Sequence, residues 1–446
     1  MSNHNIRIKD QFFSSFDANS HIPDSPRLIG PELEILLVRR DTGEASKFSE
    51  TKGLFSELSK NDRSWELDAD GMGLTRQGKR FNPTISTDLG TGTIEIGFEP
   101  QTSLEDSYKE VNSVLKFVSS VAEERGLMLL GYGIQPVTGP DKASIMPKER
   151  YNTFLQIVGD NLRWHSVTAA NQVHIQVRMD ELVGAINALN TISPAVIAMT
   201  ANASVSGNSI NGVSDLRVLC WDMALSANGA GERIGVAPRF ESIDHYWNTV
   251  IGLKPFITRR GDTNIRFDSV DSLENYFEKG SATALTMDGK PLTLYPELLD
   301  AQMLQGCVWW EARATSYGTV EFRSPSLQPS ALEIMSVAAL ATGIVVNMEK
   351  TLARTEQYTH KHLQEARVDA ANRGLKASIN DEPIIELAAD VIGLAREGLT
   401  QIQESTEYLD PLESRVEKSH PPSYYSRNAF KKGVKAFLDH VRLRTD

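Results

Sequence analysis

The sequence predicts a mixed fold, α+β or α/β, because segments with helical periodicity alternate with short strand-like segments along the chain. The clearest strand is Val173–Met179, in which polar and apolar residues alternate. The clearest helix follows Ser103, where valine and leucine recur every three or four residues until Gly126. The C-terminal third is predicted to form a helical layer over the strands, with helices at 331–350, 353–375 and 383–404.

Composition restricts the class of protein. The 446 residues carry a formal net charge of −12, which argues against a nucleic-acid backbone as the main partner. Only two cysteines occur, Cys220 and Cys307, so we expect no disulfide framework and a reducing environment. Residues 1–17 lack the apolar core of a signal peptide, and the longest apolar run, Ile334–Met348, is too short to span a bilayer. We therefore expect a cytoplasmic protein that binds neither nucleic acid nor membrane.

The stretch from Ile29 to Val38 reads as a buried strand, yet it carries two carboxylates. Glu32 and Glu34 are two residues apart, and alternate side chains of a strand share a face, so both point the same way at roughly 6–7 Å spacing. Like charges at this spacing raise each other's pKa unless a cation lies between them. Two interpretations remain open at this point: an edge strand with solvated acids, or a cation site.

Two further segments carry polar side chains that could reach the same compartment. Glu95 lies between two isoleucines in a predicted strand, and Asp88 precedes it in a glycine-punctuated loop. His174, Gln176 and Arg178 share one face of the alternating strand. Each of these patterns also fits a face that is exposed to solvent.

Two Glu-x-Arg repeats follow on strand-like stretches. Glu311 and Arg313 share one strand face, and so do Glu321 and Arg323. A ladder of salt bridges between neighbouring strands would explain both repeats. Alternatively, Glu321 is a further metal carboxylate, and the planar fork of Arg323 holds a substrate carboxylate.

The residue types point to metal-assisted phosphoryl transfer. Glutamate, aspartate and histidine without cysteine suit Mg²⁺ or Mn²⁺, which commonly bridge phosphates. Several such ions together with arginines, and without a protein nucleophile, are typical of phosphoryl transfer. The chain has no Walker A, kinase glycine-rich, HExxH or GxSxG motif. From spacing alone, ligase, kinase and two-metal hydrolase chemistry remain open.

The order of these motifs resembles the glutamate–cysteine ligase family in its plant-type form, which also occurs in bacteria. The family's Gly-x-Glu-x-Glu signature resembles Gly30–Glu34, and its acid-containing strand resembles Thr93–Ile96. The resemblance covers residues 28 to about 415. Its remaining motifs are similar to Gly131–Pro136, Met146–Tyr151, Arg217–Trp221, Glu311–Arg313, Glu321–Arg323 and Arg373–Lys376.

The resemblance implies an α+β fold of the glutamine synthetase type, a curved and mostly antiparallel sheet shaped like a funnel with helices packed outside. It also implies that ATP phosphorylates the γ-carboxylate of glutamate and that an amine then attacks the acyl phosphate. Cysteine is the expected acceptor, as in glutathione biosynthesis, and the protein would be a monomer or a homodimer. The implied domain spans 28–415, with 331–415 as its helical layer, after a lead-in (1–27) and before a C-terminal tail (416–446).

Site residues are carried over from the resemblance position by position. The implied metal ligands are Glu32, Glu34, Glu95 and Glu321, to which we add Asp88 and His174. His174 stands where the plant enzymes have a small hydroxyl residue, although the other bacterial branch of the family has a histidine in this strand. The redox-switch cysteines of the plant enzymes have no recognisable pair in this chain.

The remaining roles concern the substrates. Glu321 and Arg323 are assigned as catalytic, with Arg323 facing the charge of the transferring phosphate or of the substrate carboxylate. The substrate-binding candidates are Arg217, Trp221, Arg233, Tyr246 and Arg313. The nucleotide-binding candidates are Gln176 and Arg178, and the implied cofactors are ATP with Mg²⁺ or Mn²⁺.

Two alternatives use the same motifs differently. A related ligase could join glutamate or another carboxylic acid to a different amine in a specialised pathway. A non-catalytic binding protein could retain the ligase scaffold, although an idle site would have no reason to keep mutually repelling carboxylates.

Overall fold

A nine-stranded, wholly antiparallel sheet dominates the computed structural model, which describes residues 3–23, 25–141, 144–226 and 230–445. The strands are β1 Ile29–Arg39, β2 Trp65–Leu67, β3 Gly73–Arg76, β4 Thr84–Thr87, β5 Thr93–Gly97, β6 Leu127–Leu130, β7 Asn171–Gln176, β8 Val205–Ser206, β9 Ser209–Ile210, β10 Ile234–Gly235, β11 Ile257–Arg260, β12 Thr263–Phe267, β13 Ala282–Thr286, β14 Pro291–Leu294, β15 Trp309–Trp310, β16 Ala312–Ala314, β17 Thr319–Phe322, β18 Ser378–Ile379 and β19 Glu382–Pro383.

The α-helices pack outside this sheet. They are α1 Asn3–Asp17, α2 Phe48–Asn61, α3 Leu104–Glu124, α4 Glu149–Val158, α5 Leu182–Thr200, α6 Leu216–Leu225, α7 Ile243–Ile251, α8 Leu273–Lys279, α9 Leu298–Gln305, α10 Ala331–Val346, α11 Met348–Thr355, α12 His360–Arg373, α13 Ile384–Gln401, α14 Asp410–Lys418, α15 Pro422–Phe430 and α16 Val434–Val441. The main sheet runs in the order β16-β17-β7-β1-β5-β4-β3-β2, and β6 also pairs with β1. The predicted α+β class is confirmed.

The core lies between the sheet and its helical layer. Leu33 and Ile35 of β1 are fully buried, and α10 packs against β1 and β7 as well as against α3 and α13. Because side chains alternate along β1, Glu32 and Glu34 project from the opposite face of the sheet. Helices α10 to α13 follow Pro329, and α10 supports the face of the sheet that carries no site residues.

Two local expectations need correction. The alternating strand ends at Gln176, so Arg178 lies beyond β7, where its side chain pairs with Asp180 and Glu181. The segment described as a C-terminal tail is folded, because α15 and α16 pack against each other. Phe437 of α16 is fully buried, and its ring lies 5.3 Å from that of Tyr132, edge to face.

Within the described residues, α5 is long and apolar enough to cross a membrane, but 89% of its apolar window is buried inside the protein. A second apolar candidate combines α10 and α11, which are bent by 88° at the break between them. Burial of this kind is typical of the core helices of globular proteins.

We predict that Phe437→Ala destabilises the protein by about 3–5 kcal/mol, because it empties a buried aromatic site under α16. Leu332→Ala is the matched control, since Leu332 is 41% exposed. This substitution should lower the free energy of unfolding by less than about 0.5 kcal/mol. Urea unfolding followed by tryptophan fluorescence compares the two variants. Equal and small losses would show that the C-terminal helices do not contribute to the core.

Candidate active site

The strand register brings the predicted acids together. β1 lies between β5 and β7, and its Glu34 is directly opposite Glu95 of β5. On the other side, β7 pairs with β17 so that His174 is directly opposite Glu321. The acids are therefore not scattered on a solvated edge, because four neighbouring strands direct them to one face of the sheet.

Glu32, His174 and Glu321 form the tightest group. One ligand atom of each residue lies within 4.8 Å of those of the other two, and no other such triad occurs among the residues that the structure describes. His174 Nε2 lies 3.1 Å from Glu32 Oε2, and its Nδ1 lies 3.1 Å from Thr319 Oγ1. Two carboxylates and an imidazole at this spacing form a donor set suited to a divalent cation such as Mn²⁺ or Mg²⁺.

Arginines compensate one of the acids. Arg313 Nε donates to Glu321 Oε2 at 2.7 Å, and Arg323 pairs with the other oxygen of the same carboxylate. Burial alone would raise the pKa of Glu321, but the two guanidinium groups outweigh it and hold the pKa well below its usual range. The salt-bridge ladder expected from the Glu-x-Arg repeats is thus real between Arg313 and Glu321, and it faces the site. Glu311 leaves the ladder and pairs with Arg367 at 2.6 Å.

Three other acids of the site have no cationic partner in the part of the chain that the structure describes. None of the ion pairs of the described residues includes Glu34, Glu95 or Asp88. Burial, with the charge of Asp88, raises the pKa of Glu34 to about 7. Burial, with the charges of Glu32, Asp88 and Glu34, raises the pKa of Glu95 well above its usual value. Mutual repulsion of these carboxylates destabilises the folded protein, and a bound cation would relieve the repulsion.

Glu34 is connected to the arginines through a neutral side chain. Gln172 Nε2 donates to Glu34 Oε1 at 2.8 Å, and Gln172 Oε1 accepts from Arg323 Nη1 at 2.6 Å. The amide thus orients both charged groups. Sequence reasoning missed Gln172, although its place on the same face of β7 as His174 was a usable signal.

A cavity of about 220 Å³, which we call the acid-lined cavity, opens onto these groups. Its acidic wall is formed by Glu32, Glu34, Asp88 and Glu95, and its basic groups are Arg150, Arg313 and Arg323. The facing wall is aromatic and includes Tyr151, Phe154, His165, Trp221 and Trp309. The cavity can therefore hold a cation, an anionic group and an apolar surface side by side.

His165 is the most unusual group of the aromatic wall. Its ring lies 3.7 Å from that of Trp221, edge to face, and its Nε2 has no hydrogen-bond partner within the described chain. Burial, with the charges of Arg217 and Arg323, lowers its pKa to about 3. His165 is therefore neutral at pH 7, with an unpaired nitrogen in a cavity-lining ring. The sequence offered no pattern that would have identified it.

A second cavity, of about 260 Å³, lies on the other side of Glu32 and His174. We call it the apolar cavity, because its walls include Phe81, Phe98, Pro100 and Tyr317. The rings of Phe81 and Tyr317 lie 6.2 Å apart at its mouth, and both are exposed. Glu32 lines both cavities, so the tightest group of ligand atoms stands between them.

The other predicted binding residues separate into two groups. Trp221 and Arg313 line the acid-lined cavity, whereas Arg217, Arg233 and Tyr246 do not. Arg217 is buried behind it and donates to the carbonyl groups of Arg323 and Ser324 at 3.2 and 3.1 Å. Arg217 therefore positions the backbone that carries Arg323.

Arg233 and Tyr246 lie deeper. The Arg233 guanidinium lies 4.0 Å from the centre of the Phe256 ring, and burial lowers its pKa to about 10. The Tyr246 hydroxyl accepts from the backbone amide of Ala314 at 3.1 Å. Through these contacts both side chains have a structural role.

The two nucleotide-binding candidates lie outside these cavities. Gln176 donates to the Asn19 carbonyl at 2.8 Å, and Arg178 forms the ion pairs described above. The structure does not bring either side chain to the acid-lined or the apolar cavity. The assignment of both residues to the nucleotide remains a prediction.

Comparison with known families agrees with this geometry. The model described as glutamate–cysteine ligase family 2 matches residues 28–423. The chain belongs to this family. The match begins where the motifs predicted, at residue 28, and includes every residue of the acid cluster.

Plant members of the family share about a quarter of the sequence. The chloroplastic glutamate–cysteine ligase of Nicotiana tabacum is 26% identical over 349 residues, which cover 75% of this chain and 63% of that protein. The corresponding protein of Arabidopsis thaliana is 25% identical over 386 residues, which cover 83% of this chain and 70% of that protein. The chain thus spans somewhat less than two thirds of the length of the tobacco relative.

Solved structures establish the fold. The crystal structure of a Francisella tularensis glutamate–cysteine ligase in complex with AMP is similar with a TM-score of 0.55 at 13% identity, covering 94% of this chain and 88% of that one. A bifunctional glutathione synthetase from Pasteurella multocida is similar with a TM-score of 0.52 at 12% identity, covering 98% of this chain and 52% of that one. The fold is the glutamine synthetase-like fold that the motifs predicted.

Glu95→Gln is predicted to stabilise the metal-free protein, because it removes one of several mutually repelling carboxylates. We expect a gain on the order of 1 kcal/mol in the free energy of unfolding at pH 8 in EDTA. Adding MgCl₂ should then stabilise the wild type more than the variant. Glu66→Gln, at an exposed position of β2, should change neither the free energy of unfolding in EDTA nor the gain in stability on adding MgCl₂. A variant that is less stable in EDTA would contradict the cation-site interpretation.

His165→Gln is predicted to reduce the loss of stability in mild acid. Because the pKa of His165 is lowered on folding, only the unfolded chain takes up its proton as the pH falls below about 6.5. From pH 6.5 to 5 the wild type should therefore lose about 2 kcal/mol more than the variant. Urea unfolding at both pH values measures this difference, with His4→Gln as an exposed control. Parallel losses in wild type and H165Q would contradict the buried, neutral imidazole.

Proposed function

We propose that this protein is an ATP-dependent carboxylate–amine ligase that forms a γ-glutamyl amide through a γ-glutamyl phosphate. The observation that carries the proposal is the acid cluster: Glu34, Glu95 and Asp88 form no ion pair with any described residue and share a cavity with Arg313 and Arg323. Unpaired carboxylates beside ordered guanidinium groups suit a metal–nucleotide and an anionic substrate together. Family membership supports the same chemistry.

The residues present fit divalent cations. Glu32, His174 and Glu321 would hold one ion, and Glu34, Glu95 and Asp88 provide oxygen ligands for others beside it. Bound Mg²⁺ or Mn²⁺ would neutralise phosphate charge and orient the nucleotide for in-line transfer. We assign Mg²⁺ first, because the set is dominated by carboxylate oxygens.

We place the nucleotide base in the apolar cavity. Phe81, Phe98 and Tyr317 provide flat apolar surfaces there, and adenine would stack on such rings. Glu32 and His174 lie at the inner end of the same cavity, so phosphates extending from the base would reach the metal ligands.

The acid-lined cavity would take the acid and the amine. Arg150, Arg313 and Arg323 provide positive charge for the substrate carboxylates and for the charge of the transferring phosphate. Arg323 is held in place from both sides, by Glu321 and Gln172. The residues of the aromatic wall exclude water from the acyl phosphate, which would otherwise be hydrolysed.

No cysteine of this chain fits the role of a nucleophile. Cys220 and Cys307 are both buried, and burial raises the pKa of each thiol. The amine of the second substrate would attack the acyl phosphate directly. Two unpaired thiols also support our placement of the protein in the reducing cytoplasm.

Cysteine is the first acceptor to test, and a bulkier amine is the second candidate. The second candidate is favoured by the breadth of the aromatic wall, where the rings of Trp221 and Trp309 lie 5.6 Å apart and tilted by 36°. Such paired rings offer contact to a side chain larger than that of cysteine.

The proposal predicts glutamate-dependent ADP release that rises with the correct amine. A panel of amino acids and simple amines, with mass detection of the amide, identifies the acceptor. Replacing glutamate by other carboxylic acids in the same assay tests the acid. Glutamate-independent loss of ATP with every amine would contradict the assignment.

Arg323→Lys should lower kcat by about 100-fold or more, because lysine cannot bridge Glu321 and Gln172 as a planar fork while facing the transferring charge. Arg259→Lys, at an exposed position of β11, is the matched control and should leave kcat unchanged. Circular dichroism and thermal unfolding establish that both variants are folded. Equal activity in the two variants would remove Arg323 from the mechanism.

A further inference from the structure

A third cavity, of about 350 Å³, lies among the C-terminal helices and is larger than either cavity of the candidate active site. We call it the C-terminal cavity. It is lined by residues from the start of α10, from α14 and α15, and from the end of the chain. Its volume falls within the range of pockets that hold small metabolites. None of the acids of the candidate active site lines it.

Positive charge exceeds negative charge in this cavity. Arg415, Lys418 and Arg444 line it, together with a single carboxylate, Glu333. That carboxylate is shared, because Glu333 Oε1 lies 2.9 Å from Arg415 Nη2 and its Oε2 lies 2.9 Å from Arg444 Nη2. A local excess of cations in a chain with a formal net charge of −12 indicates an anion site.

Arg415 is the fixed element of the cavity. Its side chain is only 7% exposed, and its Nη1 donates to Gln328 Oε1 at 2.8 Å. Burial lowers the pKa of Arg415, although a guanidinium remains charged in proteins. Burying a charge is unfavourable unless it is compensated, and half of a shared carboxylate compensates Arg415 only in part.

The surroundings provide further donors. His420 and His440 line the cavity beside the three cations. Burial, together with the charge of Arg444, lowers the pKa of His440, which agrees with a positive local potential. Tyr425 adds an aromatic ring at the rim, where its ring lies 5.3 Å from that of Tyr424.

We infer that the C-terminal cavity binds a small metabolite that carries phosphate or carboxylate groups. Lys418 and Arg444 would contact its anionic oxygens at the mouth, and Arg415 would do so from the interior. Several of the lining residues, including His440 and Arg444, lie beyond the family match, which ends at residue 423. The site therefore extends beyond the matched family pattern, and its existence does not depend on the proposed ligase activity.

Calorimetric titration of the full chain at low ionic strength tests the inference. The probes are inorganic pyrophosphate, which represents a phosphate ligand, and citrate, which represents a polycarboxylate. We expect the wild type to bind one equivalent of at least one probe, and the preferred probe identifies the ligand class. The test variant is Lys418→Gln/Arg444→Gln, which should weaken binding at least tenfold.

The matched control is Lys60→Gln/Lys361→Gln, which removes the same charge from exposed side chains that do not line the cavity. Lys418→Gln alone is a second test variant, because Lys418 forms no ion pair among the described residues, and so its loss should not affect folding. Absence of binding by the wild type would overturn the inference. Binding that survives both Lys418 variants, or that weakens equally in the control, would overturn it as well.

Discussion

The antiparallel register of β1 is the constraint on which the candidate site depends. It places Glu34 directly opposite Glu95, and it brings Glu32 to within 3.1 Å of His174 on the other side. Cross-strand pairs of like charge are normally avoided, because they destabilise a sheet. The register therefore concentrates negative charge on one face of the sheet, and the helical layer behind Leu33 and Ile35 stabilises that register.

The arginines of the site neutralise its carboxylates unequally. Arg313 and Arg323 neutralise Glu321, whereas none of the ion pairs of the described residues includes Glu34, Glu95 or Asp88. In the proposed function, bound metal ions would supply the positive charge that the second group of acids lacks. Gln172 joins the two sides through its hydrogen bonds to Glu34 and Arg323.

Strand periodicity and motif order predicted much of this arrangement. The alternation in β1 was sufficient to place Glu32 and Glu34 on one face, since the side-chain period of a strand is two, but only the observed register brings His174 of β7 to the same face. Gln172 and His165 were missed because a single amide or imidazole carries no periodic signal and takes its role from residues distant in the chain. The C-terminal segment is charged and contains Pro421-Pro422, which predicts a tail, whereas tertiary contacts such as those of Phe437 stabilise short helices there.

The central claim is that the acid cluster activates a carboxylate by phosphorylation before an amine attacks. Turnover of glutamate labelled with ¹⁸O in its γ-carboxylate, with ATP, Mg²⁺ and the accepted amine, tests this claim most directly. An acyl phosphate transfers one labelled oxygen to inorganic phosphate in each turnover, and mass spectrometry of the released phosphate detects it. We predict one ¹⁸O atom per phosphate, whereas unlabelled phosphate released together with the amide product would contradict the account.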